Sequence, residues 1–190
     1  MATPPVRDRL LMSAITLLRS KGADGFGMSE LMAHSGVARR SMYQHFPEGK
    51  AELLEAATAE AGRFAGALLA RALADMPTVA GLTAVAEQWK RILVESDYDL
   101  GCPLVAAATA AAEYPAAAHR AATAFADMSR QVADAFARDG LPAAQAAHAG
   151  EMLVAALEGA IITARAQRST APLDALVAHV HDTWGRPADE

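Results

Sequence analysis

The chain has one cysteine, Cys102, in 190 residues. That excludes an internal disulfide framework and fits a reducing compartment. Aromatic residues make up only 5% of the sequence, while alanine is abundant, a balance that favours closely packed helices over sheets. No β-branched run alternates with polar residues, so no strand is expected. No apolar stretch reaches the roughly 20 uncharged residues of a membrane span; the most apolar part, Met152 to Ala164, is interrupted by Glu158. The opening MATPPVRDRLL lacks an apolar signal core behind a basic start. Nucleophile elbow, phosphate-binding glycine loop and HExxH element are all missing. His179 and His181, two apart, point in different directions on a helix and make poor metal partners. Cys102 has no Lys, Arg or second Cys beside it in sequence, so a packed thiol is expected rather than a redox sensor. The chain is therefore expected to be cytoplasmic, with no catalytic constellation, cofactor, metal site or membrane partner.

What is present is enough for a core: 53% hydrophobic against 21% charged residues. The net charge of −5 at first argues against nucleic acid, but its distribution reverses that. Residues 1–50 hold seven Lys/Arg against four Asp/Glu, whereas the remainder holds ten against eighteen. A +3 head on a −8 body is the pattern of a nucleic-acid reader joined to a separate sensing body. A difference of this size also arises by chance, so the charge alone decides nothing.

Residues 26–50, FGMSELMAHSGVARRSMYQHFPEGK, carry the strongest signal. They read as two short helices at 28–35 and 39–45, joined at Gly36, where a sharp turn requires a left-handed residue. Leu31, Val37, Met42 and Phe46 form the apolar side. Arg39, Arg40, Tyr43 and Gln44 fall at i, i+1, i+4, i+5, one outward stripe of donors suited to phosphates and to major-groove base edges. Glu30, at the third position of its helix, is placed to cap back to Gly27. The segment reads as a helix-turn-helix DNA reader; its rival is an ordinary solvated face.

Gly36-Val37, then Met42-Tyr43-Gln44-His45-Phe46, then Lys50 and Leu53-Leu54, resemble the signature of the tetracycline-repressor (TetR) family. Ala38 and Gly27 depart from it, standing where Ser or Thr commonly caps a helix. Gly101-Cys102-Pro103-Leu104, Leu157-Glu158-Gly159-Ala160 through Ala164-Arg165-Ala166, and Phe46-Pro47-x-Gly49-Lys50 are similar to its LmrA/YxaF-type branch. The resemblance implies an all-helical regulator: a DNA-binding domain at 1–50 and a ligand-binding and dimerisation domain at 51–190. Within it, Arg39, Arg40 and Gln44 are the expected base readers. Tyr43, His45, Lys50 and Ser29 are expected on phosphates, and Ser41 suits either role.

Along the body, a first helix is expected at Val6 to Lys21 and a long one from Glu48 to Ala74, with Leu53, Leu54, Ala57, Phe64, Leu68 and Leu69 facing inward. Others follow to Ser96 and at 103–113, 116–138, 142–168 and from Pro172. The last two helices have broad apolar faces that suit either the monomer's own core or a four-helix bundle between two copies. The resemblance favours the bundle, with Leu157, Ile161, Val177, Val180 and Trp184 at the dimer interface. It also implies an effector cavity, for which the large apolar residues are Trp89, Leu104, Phe125, Met128 and Met152; residues of this kind are more often plain core than ligand contacts. The expected partners are operator DNA, a small lipophilic or aromatic effector and a second copy of the chain, with release of a repressor as the implied mechanism. Two rivals remain: a helical small-molecule-binding or interaction protein with a vestigial reader, and an enzyme using Glu158.

Overall fold

Pro5, Gly27, Pro77 and Pro142 each stand extended or fixed immediately before a helix, and glycines close several of them. The computed structural model describes residues 4–185, and among these every regular element is a helix. In chain order they are α1 (Val6–Lys21), α2 (Met28–Ser35), α3 (Arg39–His45), α4 (Lys50–Asp75) and α5 (Thr78–Glu95). There follow α6 (Pro103–Ala108), α7 (Pro115–Arg138), α8 (Ala143–Gln167) and α9 (Ala171–Trp184). The first three match the expected bounds. The long helix begins two residues later than expected: Pro47–Gly49 form a turn, and the Glu48 N–H donates to Glu52 Oε2 at 3.0 Å. The helix expected over 103–113 stops at Ala108, because the Thr109 hydroxyl donates back to Val105 O and Ala106 O and the chain then turns into Pro115.

The chain divides into two compact units. One runs to Phe64 and also takes in Cys102–Ala124; the other comprises Ala65–Gly101 and the chain from Phe125 onward. The units thus cut the chain differently from a single boundary at residue 50, since α6 and the start of α7 fold with the reader. In this first unit α1 packs on α2, α3 and α6. Leu10, Leu18, Leu31, Met42, Phe46, Leu53, Leu54 and Leu104 are among its fully buried large side chains. Removing a ring such as Phe46, 2% exposed, costs about 3–5 kcal/mol in a core of this kind.

In the second unit α9 lies against α5 and α8. Leu93, Ala160, Ile161, Ala164 and Leu173 form the buried centre, with Trp89, Tyr98, Leu157 and Leu176 packed against it. The Asp139 carboxylate accepts the Thr78 N–H at 3.1 Å and so caps α5, while Arg138 donates to Leu73 O at 3.1 Å. By length and mean hydropathy, 1.2 over its most apolar window, α8 alone among the described helices would reach across a membrane; a third of that window is buried inside the fold.

Two positions expected inside are outside: Phe64 is 68% and Leu68 43% exposed. The buried face of α4 passes from Leu53, Leu54, Ala57, Thr58 and Ala61 to Leu69 and Leu73. That is a drift of about a quarter turn around the helix. A single straight stripe drawn along all 26 residues misplaces the middle.

A candidate nucleic-acid interface on the second and third helices

Gly36 adopts φ 63° and ψ 24°, and its N–H closes α2 on Met32 O at 3.0 Å. This left-handed corner is the conformation the turn requires and one that Cβ-bearing residues disfavour. Val37, 4% exposed, then drops into the core, and Met42 and Phe46 follow it from the inner side of α3. With those three anchored, the opposite side of α3 must face out. Arg39, Arg40, Gln44 and His45 are exposed, as is Tyr43 at 42%. Ser29 is exposed at the start of α2, and Ser41 is half-buried.

None of Ser29, Arg39, Arg40, Ser41, Tyr43, Gln44 and His45 has a polar partner among the described residues. Seven donor-bearing side chains beside one corner thus keep their hydrogen-bonding capacity for another molecule. Ala38 is extended, with φ −66° and ψ 144°, and offers no side-chain cap. The amides that open α3 therefore add further uncommitted donors. Guanidiniums and a carboxamide on one short helix are the groups that pair bidentately with guanine and adenine edges.

Two expected contacts differ in the structure. Glu30 does not reach back to the Gly27 N–H; its carboxylate instead accepts from Lys21, tying α2 to the end of α1. Lys50, expected on a phosphate, turns inward. Its Nζ donates to Phe26 O at 2.6 Å and lies 4.5 Å from the centre of the Phe26 ring and 5.3 Å from that of Tyr114. Neither Phe26 nor Tyr114 was singled out by the sequence, and nothing in a one-dimensional pattern brings residue 114 to residue 50.

The expected effector residues divide between the units. Leu104, 1% exposed, belongs with the reader; Trp89, Phe125, Met128 and Met152 belong to the second unit. Met128 is buried, and Trp89, Phe125 and Met152 are half-buried. A cleft of about 590 Å³ in the second unit is lined elsewhere, by Leu73, Met76, Pro77, Gln131, Asp134 and Arg138 among others.

Two of the expected interface residues need a correction. Ile161 is 0% and Val180 4% exposed in the single chain. They are spent on the unit's own core, as is Leu157, packed against the same cluster. Trp184, half-buried, packs against the buried Phe136 ring, the ring centres 5.1 Å apart and the planes tilted by 47°, and Val177 is half-buried. The outer side of α8 instead carries Ala155, Gly159, Ile162 and Ala166, all exposed, at i, i+4, i+7, i+11; Ile162 is 51% exposed. Ala175 and Ala178 are exposed on α9. This spacing was readable in the sequence, but in an alanine-rich helix the larger residues beside it draw attention away from the exposed side.

Residues 10–57 match the family model of bacterial regulatory proteins of the tetR family, and residues 78–179 match that of the LmrA/YxaF-like transcriptional regulator C-terminal domain. An uncharacterized HTH-type transcriptional regulator of Mycobacterium tuberculosis (strain H37Rv) is 33% identical over 175 residues, 88% of each chain. Among solved structures, the regulatory protein TetR from Rhodobacter sphaeroides superposes with a TM-score of 0.85 at 18% identity, over 93% of this chain and 97% of the other. A TetR transcriptional regulator from Legionella pneumophila does so at 0.81 and 15%, over 96% and 99%. At these identities the superpositions speak for the fold.

Proposed function

The chain belongs to the TetR family of transcriptional regulators, and from that premise we propose that it is a cytoplasmic repressor, released from its operator by a small lipophilic or aromatic molecule. The observation that carries the DNA-reading part is the outward stripe of α3, whose Arg39, Arg40 and Gln44 are exposed and internally unpaired. Arg39, Arg40 and Gln44 read base edges, while Tyr43, His45 and Ser29 hold phosphates and Ser41 serves either.

The protein acts as a homodimer. The small-residue stripe of α8 supports this: side chains no larger than alanine at three of four positions let a second helix approach closely, and Ile162 supplies the apolar contact. A twofold arrangement sets the two copies of α3 about one DNA turn, roughly 34 Å, apart. The effector seats among Trp89, Phe125, Met128 and Met152, where two flexible thioethers accommodate ligands of varied outline. It lowers DNA affinity only through its preference for a state with a different reader spacing.

The test uses a DNA fragment selected by the wild-type protein from a random-sequence pool. Arg40→Ala and Gln44→Ala should each reduce affinity for that fragment by about 5- to 150-fold, the roughly 1–3 kcal/mol of one lost bidentate contact. Affinity for unrelated DNA and the melting temperature should hardly change. Variants that keep both the affinity and the sequence preference of the wild type would remove α3 as the reader.

A further inference from the structure

We propose that Lys50 is a positioning residue, whose ammonium couples the turn between α6 and α7 to the reader through a box made by Phe26 and Tyr114. The idea rests on the DNA-reading function proposed above and adds to it a route by which a residue remote from DNA sets the quality of reading.

The geometry begins at Phe26. Its ring is 4% exposed, and its residue immediately precedes Gly27, the N-cap from which α2 starts. Whatever fixes the Phe26 carbonyl therefore fixes where α2 begins, and through Gly36 how α3 is presented. Lys50 does this from the first residue of α4: its Nζ donates to Phe26 O at 2.6 Å. The same ammonium lies 4.5 Å from the Phe26 ring centre and 5.3 Å from that of Tyr114, both within the roughly 6 Å at which a ring face attracts a cation. Tyr114 is held in turn by its own N–H, which donates to Ala110 O at 2.8 Å in the α6–α7 turn.

An ammonium that serves DNA phosphates should stand in solvent with its three donors open. The Lys50 side chain is half-buried, one of its donors is committed to a carbonyl, and two rings lie against it. Arg39 and Arg40, by contrast, are exposed and uncommitted. Lys50 thus orders the corner from which α2 and α3 are hung, and Tyr114 holds Lys50. A shift of the α6–α7 turn would loosen the box and blunt sequence reading without touching a DNA-contacting group.

The experiment measures binding of the pool-selected fragment and of unrelated DNA across a salt series, with Lys50→Met, Tyr114→Leu, Tyr114→Phe and the Lys50→Met/Tyr114→Leu double variant. Tyr114→Leu should lower affinity for the selected fragment about three- to tenfold, leaving unrelated DNA and the salt slope unchanged. Tyr114→Phe keeps the ring and should bind like the wild type. The double variant should be no weaker than Lys50→Met alone. If Lys50→Met reduces the salt slope by about one unit while Tyr114→Leu binds normally, the ammonium sits on a phosphate and the proposal is wrong. It is equally wrong if Tyr114→Leu lowers only the melting temperature, with discrimination between the two DNAs intact. A wild-type protein that selects no sequence would overturn the proposed function instead. The box is then judged on the free protein: additive losses of melting temperature in the double variant would refute it.

Discussion

The reader and the α8–α9 pair present two unlike surfaces. In the reader the core is filled by large side chains, Leu31, Met42 and Phe46, and the outer face consists of long polar groups with no internal partner. In the α8–α9 pair the exposed stripe of α8 is small, with Ala155, Gly159 and Ala166 in line with Ile162, and α9 exposes Ala175 and Ala178. Polar groups there are largely tied within the unit. Lys90 pairs with Asp174 at 2.6 Å, Thr83 meets His181 at 3.1 Å, and Arg165 and Arg168 hold the loop at 97–99. Unspent hydrogen bonds suit a polar, hydrated partner such as a nucleic-acid groove, whereas small apolar side chains suit the close approach of another helix.

The largest test of that contrast compares two adjacent residues. Ile161 is fully buried and its neighbour Ile162 is 51% exposed. Ile161→Glu places an unpaired carboxylate in the Leu93–Leu173 cluster and should cost about 3–5 kcal/mol, enough to leave the protein insoluble or unfolded. Ile162→Glu should keep full helicity by circular dichroism and sediment as a monomer where the wild type sediments as a dimer. A dimeric Ile162→Glu protein would show that the small stripe is ordinary solvated surface.

The same pair explains how far the sequence was legible. In the reader, turns and plug are marked by residues with few alternatives. Gly36 had to be left-handed, Phe46 and Met42 had to be buried, and the outward stripe followed by elimination. The bounds of α1, α2 and α3 and the exposure of Arg39, Arg40 and Gln44 were accordingly readable. In α8 alanine and larger apolar residues recur on every side of the helix, so the periodicity defines a helix but does not separate the monomer's core from a bundle face; Ile161, expected at the dimer interface, is buried within the single chain. On α4 the drift of the buried face misled the placing of Phe64 and Leu68. Contacts such as Lys50 with Tyr114 depend on tertiary approach, and no local pattern encodes them.

A middle-sized effect is expected where α5 ends. Asp97 and Tyr98, neither a glycine, adopt φ 51° and 60°, a left-handed pair that costs roughly 1–2 kcal/mol per residue. The Arg165 guanidinium donates to Tyr98 O at 3.3 Å and Asp99 O at 2.6 Å, while Arg168 donates to Asp97 O at 3.1 Å. Gly101 leaves room for this: a Cβ there would sit 2.5 Å from Arg165 Nη1. Gly101→Ala should push Arg165 off its carbonyls and cost about 1–2 kcal/mol. In a chain of this length that is a fall in melting temperature of about 2–8 °C. Combining it with Arg165→Ala should give much less than the sum of the two, since both remove the same bonds. Affinity for DNA per folded molecule should not change, which keeps this polar tie distinct from the reader's unspent groups.

The smallest effect concerns the ion pair between α5 and α9. The hydrogen bond from Lys90, with a further one from the Thr170 hydroxyl, lowers the Asp174 carboxyl below its ordinary 3.8; the bond that Lys90 donates to Asp174, then the one it donates to Glu87, raises Lys90 above its ordinary 10.5. A depressed carboxyl contributes stability that is present above its unfolded value and lost as pH falls through the folded one. The raised ammonium contributes stability that is present below its unfolded value and lost as pH climbs through the folded one. Between those limits, from above about pH 4 to about pH 10, the pair should hold steady. Asp174 is half exposed, so solvent and salt screen the interaction and the gain is modest. The measurement is the difference in melting temperature between the wild type and Asp174→Asn, which cancels the other titrating groups. That difference should favour the wild type at pH 7, shrink on acidification below pH 4 and vanish only once the pH has fallen through the lowered folded value. It should also diminish in high salt. A difference that stays constant from pH 7 to pH 3 would mean that Asp174 acts as a neutral hydrogen-bond acceptor, and that the polar groups of the α8–α9 region are tied by geometry rather than by charge.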